Sequence, residues 1–414
     1  MADDCAKLGE IIEGYRDQAV AWLTDLIRYP SVQGQEAEAQ AYVLRTMKEI
    51  GLDAVYREIP SDLVDDPEYS FSENMSPYAG RSNVVARVGA GTGRSVILQS
   101  HIDVVPASGW DDGYTPQYDG ECVIGRGSAD AKGDVVTILV ALAALRDAGF
   151  KPAGSIEAQV VIEEEVGGNG ALALIRQGCK ADGVVVVEAT NMNVFPANRG
   201  AIWFRAKTTG RAVHMGRRHE GVNAIEKMVE VINRMLAYEK VLVAESQGQP
   251  MFERYAAPVQ LCLGTIKAEG WPSMVAGECT MEGGVGFLPN KSMARIKEEL
   301  LAAVMATEDE WLREHFELTF PKLHNDSFAC DPKHPLPVTM NEAALACGQA
   351  SEIYGWNVSC DARLYAKLAG LTTVVYGPAD VSQAHSVGER MKMDDLLAAA
   401  KGLATFLTRW CGGA

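Results

Sequence analysis

Paired cysteines and long apolar runs are both missing from this chain. Its nine cysteines are scattered, and no two stand in a C-x-x-C pair. That excludes a cysteine-rich zinc site and argues for buried thiols in a reducing compartment rather than a disulfide frame. The longest apolar stretch, "VVTILVALAAL", falls short of the roughly 20 residues that span a bilayer. The opening "MADDCAKLGEIIEGY" lacks the basic-then-apolar order of a secretory signal, so a cytoplasmic protein with no membrane partner is expected. Basic charge is scarce too. A net charge of −17 sets the chain against nucleic acid, whose phosphates it would repel.

The chain has 414 residues, more than one ordinary core. At about 150 residues per domain, two or three domains are expected. An amphipathic helix is read over 7–29, with Leu23, Leu26 and Ile27 on one face and Pro30 as its stop. A second helix, "EAEAQAYVLRTMKEIG", ends at Gly51. The runs "SNVVARVG", "SVILQSHIDVV", "SIEAQVVIEE" and "DGVVVVEAT" read as strands, with a helix over about 134–148 between them. Alternating strands and helices indicate an α/β sheet core, whose ligand crevice lies beyond the strand carboxyl ends. From Gly200 the order becomes β-α-β-β-α, which resembles a ferredoxin-like module. The α/β pattern then resumes in "TTVVYGPAD" and a closing helix from Asp394. The expected organisation is a larger domain in two parts, 1–199 and 326–414, with a smaller one inserted over 200–325.

Acidic and imidazole side chains collect at the predicted strand ends. "VVIEEEVGGNG" places Glu163, Glu164 and Glu165 at the mouth of an apolar run, where like charges repel and lose hydration. No Lys or Arg lies near the triplet in sequence, which directs attention to a metal. "SHIDVV" offers His101 and Asp103, two apart and so on one face of an extended chain. Asp103 can then fix the His101 tautomer, as carboxylates beside metal-bound histidines do. "GRGSADAKGD" offers Asp130, "VVVVEAT" offers Glu188, and "SQAHSVGERM" offers His385. Two imidazoles and several carboxylates without cysteine suit Zn, Mn or Co.

The ordered series "SHIDVVP", "GRGSADAKGD", "EEEVGGNGA", "VVEAT", "GRAVHMG" and "AHSVGERM" resembles the dinuclear metallopeptidase/deacylase family. Acetylornithine deacetylase, succinyl-diaminopimelate desuccinylase, aminoacylase and glutamate carboxypeptidase belong to it, and the match runs over almost the whole chain. The resemblance implies a mixed-sheet zinc-peptidase-like α/β catalytic domain with an inserted ferredoxin-like α+β lid and dimerisation domain. It further implies two divalent metal ions. His101, Asp130 and Glu188 would hold one, and Asp130, Glu165 and His385 the other, with Asp130 bridging. Asp103 would orient His101, and Glu164 would be the general base for a metal-bridging hydroxide. Glu163 would have a supporting role. Glu164 and Glu165 adjoin, so they can share one site only where the chain bends, a bend that Gly167 and Gly168 would allow. His214 of "GRAVHMG" would act in a partner subunit's site by stabilising the oxyanion, which implies a homodimer. His219, His315, His324 and His334 read as surface or structural residues.

Two departures concern substrate. Family members specific for amino acids carry an Asn-Val-x-Pro segment and a lid-strand Arg that clamp the substrate carboxylate. Here Ser273 stands near the Asn and Gly286 where the Arg would be. Without that bidentate partner, either another cation replaces it (Arg199, Arg217, Arg218 and Arg363 are candidates) or the substrate lacks the carboxylate. Asp134, where a small Gly is common, has no evident role. Glu188 rather than Asp accompanies deacylases in the family, and "GWPS…GFLP" and "CDARLY" resemble the branch that includes a formyl-aminopyrimidine deformylase. The expected activity is hydrolysis of a small N-acyl amine. The alternatives are an aminohydrolase releasing ammonia from an aromatic amine, a small-peptide carboxypeptidase, and an inactive binding protein. Retention of Glu164 beside the metal ligands argues against the last.

Overall fold

A computed structural model describes residues 2–72 and 76–412. The chain forms two compact units: Met1–Pro196 with Cys330–Tyr354 and Cys360–Ala414, and Ala197–Ala329 with Gly355–Ser359.

In the first unit a mixed sheet runs in the order Asp53–Glu58, Ser82–Val88, Ile156–Val161, Val96–His101, Val184–Val186, Thr373–Val375, Val194–Asn198. The four strands from Ile156–Val161 to Thr373–Val375 are mutually parallel, with His101 opposite Val161 and Ile97 opposite Val184. Their valine-rich runs are buried at every position but Glu157, as expected for parallel strands covered on both faces. The helix Lys132–Asp147 is buried on nearly every side and packs against Met393–Cys411 and the N-terminal helices. On such a helix apolar residues need no periodic face.

The helix expected over 7–29 is two helices, Ala2–Glu13 and Arg16–Ile27. The break falls at Gly14, a weak helix former, and at Tyr15, whose φ of −90° and ψ of 0° leave the helical range. The expectation of buried thiols rather than disulfides is also corrected. Cys5 and Cys347 form a disulfide that ties the first helix to the end of Pro335–Ala346, and Cys262 is an exposed thiol. Among the described residues no helix is long and apolar enough to cross a membrane.

The second unit has the antiparallel sheet order Leu261–Glu269, Glu278–Phe287, Gly200–Thr209, Phe316–Thr319. Counted along the chain this is second, third, first, fourth, which is ferredoxin-like. The helices Ala224–Ser246 and Met293–Met305 cover one face. There Ile202, Phe204 and Met281 pack with Met228, Val231, Met235, Ile296 and Leu300. The alternation of buried and part-exposed residues along Gly200–Thr209 is the two-residue period of a sheet with one buried face.

Candidate metal centre

The carboxyl ends of the parallel strands carry most of the sequence-predicted residues of the first unit. His101 closes its strand, Glu163–Glu165 follow Val161, and Glu188 follows Val186 by two residues. Asp130 lies just before the helix Lys132–Asp147, in a loop held by Glu389. The Glu389 carboxylate accepts the Ala129 and Asp130 amides at 2.9 and 3.1 Å and pairs with Arg126 at 2.6 Å. The Asp130–Ala131 peptide is cis. His385 follows the short turn Val381–Gln383.

Two three-residue groups result, His101–Asp130–Glu188 and Asp130–Glu165–His385. In each, one ligand atom per residue lies within 4.8 Å of the others. Asp130 belongs to both and divides its oxygens between them. Oδ1 stands 3.0 Å from His101 Nε2, and Oδ2 stands 3.2 Å from His385 Nε2. Glu188 Oε1 is 3.4 Å from His101 Nε2, and Glu165 Oε2 is 3.1 Å from His385 Nε2. The donor set of imidazoles and carboxylates fits a pair of divalent cations.

Electrostatics support the same fit. Burial raises the pKa values of Glu188, Glu164 and Glu165, and mutual repulsion among the carboxylates adds to it. Burial would lower the pKa of His101, yet Glu188, Asp103 and Asp130 outweigh it and raise it well above 6.5. Hydrogen bonds to Asp130 and Glu165 lift His385 to about 11. The carboxylates thus favour protons on both imidazoles, and metal binding would displace those protons.

Asp103 reaches His101 less directly than expected. The His101 Nδ1 contact at 3.0 Å is to the Asp103 carbonyl oxygen, and its carboxylate is 3.5 Å away. The carboxylate instead accepts the amides of Glu164 and Glu165, at 3.1 and 3.0 Å. The acidic triplet also divides in two. Glu163 does have a cation, Arg81 at 2.6 Å, from a part of the chain that local sequence inspection could not connect to it. Glu165 faces the ligands. The Glu164 carboxylate has no hydrogen-bond partner among the described residues. The bend that separates the three begins ahead of the glycines, at Glu163 itself, whose φ is +62°.

Sequence reasoning assigns no role to Asp361, although its segment "CDARLY" carries part of the deacylase resemblance. It is buried, accepts a bond from Gln99 Nε2 at 3.0 Å, and its charge opposes ionisation of Glu164. It also explains Gly168. A β-carbon there would lie 2.2 Å from Asp361 Oδ1 and 2.7 Å from Leu364 Cδ1, and φ is +81°. Gly168→Ala is therefore expected to cost more than about 1 kcal/mol of stability. Thermal denaturation checks this, and an unchanged Tm would contradict the close packing.

The remaining candidates are less alike than the sequence suggested. Arg363, 3% exposed, donates to the Gly167 carbonyl at 3.0 Å, so it braces the turn after the glutamates. Arg217 and Arg218 pair with Glu220 and Glu226. Arg199 bonds Gln260 and has no carboxylate partner among the described residues. A β-carbon on Gly286 would sit 2.9 Å from Arg199 Nη1, so this guanidinium occupies the space beside the position where the family's Arg would begin. Ser273 lends its carbonyl to the Met215 amide at 2.8 Å. His214 is exposed and accepts the Gly216 amide. Asp134 is fully buried with neither oxygen hydrogen-bonded among the described residues, and nothing in the structure explains it.

A mixed α/β sheet with two His–carboxylate groups beyond its strand ends is an arrangement that could hold metal ions. Residues 97–409 match Peptidase family M20/M25/M40, and the chain belongs to that family. It is 27% identical over 374 residues to N-formyl-4-amino-5-aminomethyl-2-methylpyrimidine deformylase of Bacillus subtilis (strain 168), covering 83% of this chain and 87% of that protein. It is 25% identical over 353 residues to a probable succinyl-diaminopimelate desuccinylase of Staphylococcus epidermidis, covering 76% and 82%. Among solved structures, an M20 family metallo-carboxypeptidase from Sulfolobus solfataricus superposes with a TM-score of 0.74 at 15% identity, covering 95% and 99%.

Proposed function

We propose that this chain is a metal-dependent amidohydrolase that removes a small acyl group, formyl or acetyl in size, from an amine. The observation that carries this reading is the divided Asp130 carboxylate, one oxygen to each cluster, beside a Glu164 carboxylate left free of hydrogen bonds among the described residues. His101, Asp130 and Glu188 would hold one ion and Asp130, Glu165 and His385 the other, with Zn, Mn or Co suited to these donors. When bound, the ions supply Lewis acidity and lower the pKa of water toward neutrality. Glu164 takes the proton of the attacking water and returns it to the departing amine nitrogen. Asp103 holds the amides of Glu164 and Glu165, which fixes the base relative to the ligands.

Similarity to a deformylase and a desuccinylase supports an N-acyl amine as substrate. Arg199, the one candidate arginine without a carboxylate or backbone carbonyl partner among the described residues, would take a polar or anionic group of it, and Ser273 a second contact. His214 would donate to the oxyanion in the site of a second subunit. A dimer is supported by Ile225, Val229 and Leu236, which leave an exposed apolar stripe on the helix Ala224–Ser246. The adjacent sheet edge Leu261–Glu269 is open and carries exposed Ile266, a combination that favours pairing.

The test is a panel of N-formyl, N-acetyl and N-succinyl amines, including N-formyl-4-amino-5-aminomethyl-2-methylpyrimidine, with protein loaded with Zn, Mn or Co. One carboxylate and one amine should appear per turnover, and a chelator should abolish both. Ammonia release from amino-aromatics, or no turnover across the panel, would overturn the reading.

A further inference from the structure

We propose that Arg81 is a positioning residue for this hydrolysis: through the buried carboxylate of Glu163 it holds the turn from which Glu164 and Glu165 project. The inference rests on Glu164 being the base. Residues 162–165 lie outside any strand or helix. The carbonyls of Ile162, Glu163 and Glu164 accept the amides of Gly170, Gly168 and Gly167, whereas the amides of Ile162, Glu164 and Glu165 depend on side-chain acceptors. Glu163 is the residue at which the chain turns into the left-handed region, a conformation that an L-residue keeps only when its surroundings hold it there.

Its surroundings are unusually specific. The Glu163 side chain is fully buried. Oε1 accepts Arg81 Nη2 at 2.6 Å, and Oε2 accepts Tyr78 Oη at 2.7 Å and Asn169 Nδ2 at 2.9 Å. The same guanidinium grips Glu36 with two bonds, Nε to Oε2 at 2.8 Å and Nη2 to Oε1 at 2.7 Å. Its remaining nitrogen, Nη1, donates to the Ser76 carbonyl at 2.9 Å. One buried cation thus bonds two buried carboxylates, and only a planar fork can serve both. Asp103 grips the two following amides, so the glutamate pair is clamped on both sides.

Loss of the cation leaves Glu36 and Glu163 buried without it, and they must protonate or move. Arg81→Met, loaded with metal and corrected for folded fraction, is expected to lower kcat by about 10²-fold, the cost of displacing a reacting group by an ångström. KM should stay within about threefold and bound metal should match wild type. The acid limb of the kcat–pH profile should shift, a readout that a merely structural brace would not move. Arg81→Lys, which restores charge without the fork, should recover only part of kcat. The substrate is the best of the N-acyl amine panel, and Glu164→Gln is assayed beside these variants. If Glu164→Gln retains activity, the base assignment fails and this inference with it. If Glu164→Gln is inactive while Arg81→Met keeps wild-type kcat and pH profile, the positioning role alone is overturned. Should Arg81→Met not fold, Glu163→Gln and Tyr78→Phe decide. Reduced kcat at constant KM in both supports the role, and wild-type kcat in both overturns it.

Discussion

Glu164→Gln is expected to lower kcat by between about 10²- and 10⁴-fold, the range that a positioned general base contributes, with KM little changed. Glutamine keeps the size and the backbone amide that Asp103 accepts, so the ligand geometry has no reason to shift. What is lost is the capacity to take a proton. Burial raises the pKa of this carboxyl well above 4.5, and the charges of Asp361, Glu165 and Asp130 add to it while His101 opposes them. Bound cations would pull it back toward the ionised form. A base acts only when ionised, so wild-type kcat should fall as pH drops through the pKa of Glu164 and stay level above it. In the variant nothing titrates at that position, and the acid limb should disappear from what activity remains. Steady-state kinetics of metal-loaded protein between about pH 4 and 9 measure both effects. Wild-type kcat in the variant, or an unchanged acid limb, would remove Glu164 from the chemistry.

How much of this is legible in the sequence depends on how far each interaction reaches along the chain. Strands such as "SVILQSHIDVV" and the helix before Asp147 are set by local apolar pattern and are readable. The proposed ligands His101, Glu165 and Glu188 are readable because strand ends in an α/β sheet converge, so that order along the chain becomes proximity, whereas Asp130 and His385 come from loops. Grips made between distant segments are not. Arg81 to Glu163, Glu389 to the Asp130 loop, and Asp361 beneath Gly168 each join residues more than 80 positions apart. Proximity in sequence misleads twice. It hides the cation that partners Glu163, and it overstates the Asp103 carboxylate's hold on His101, since that carboxylate turns to the Glu164 and Glu165 amides. The break at Gly14 escapes for the opposite reason. The apolar period carries on through a glycine, and the period outweighs the weak helix former.

Asp130→Asn tests the sharing of one carboxylate between two cations. Aspartate can present one oxygen to each side, and the distances of 3.0 and 3.2 Å from Oδ1 and Oδ2 to the two histidines reflect that division. Asparagine has one oxygen, and its other terminal atom is an N–H₂ donor that repels a cation. It can therefore serve one cluster at most. Bound metal measured on purified protein should fall from two ions per chain to one or none. Cation stabilisation of the reacting carbonyl is worth several kcal/mol, so kcat/KM should fall by about 10³-fold or more. Stability gives an independent reading, because ions that bind only the folded chain raise its Tm. A chelator should lower the Tm of wild type appreciably and that of the variant much less. The substitution leaves the anchors of the loop in place, since Glu389 grips backbone amides and not the Asp130 side chain. A collapse of the fold is therefore not expected to obscure the result. Two ions per chain together with wild-type turnover in Asp130→Asn would mean that the clusters are filled independently, and the bridged arrangement would have to be abandoned.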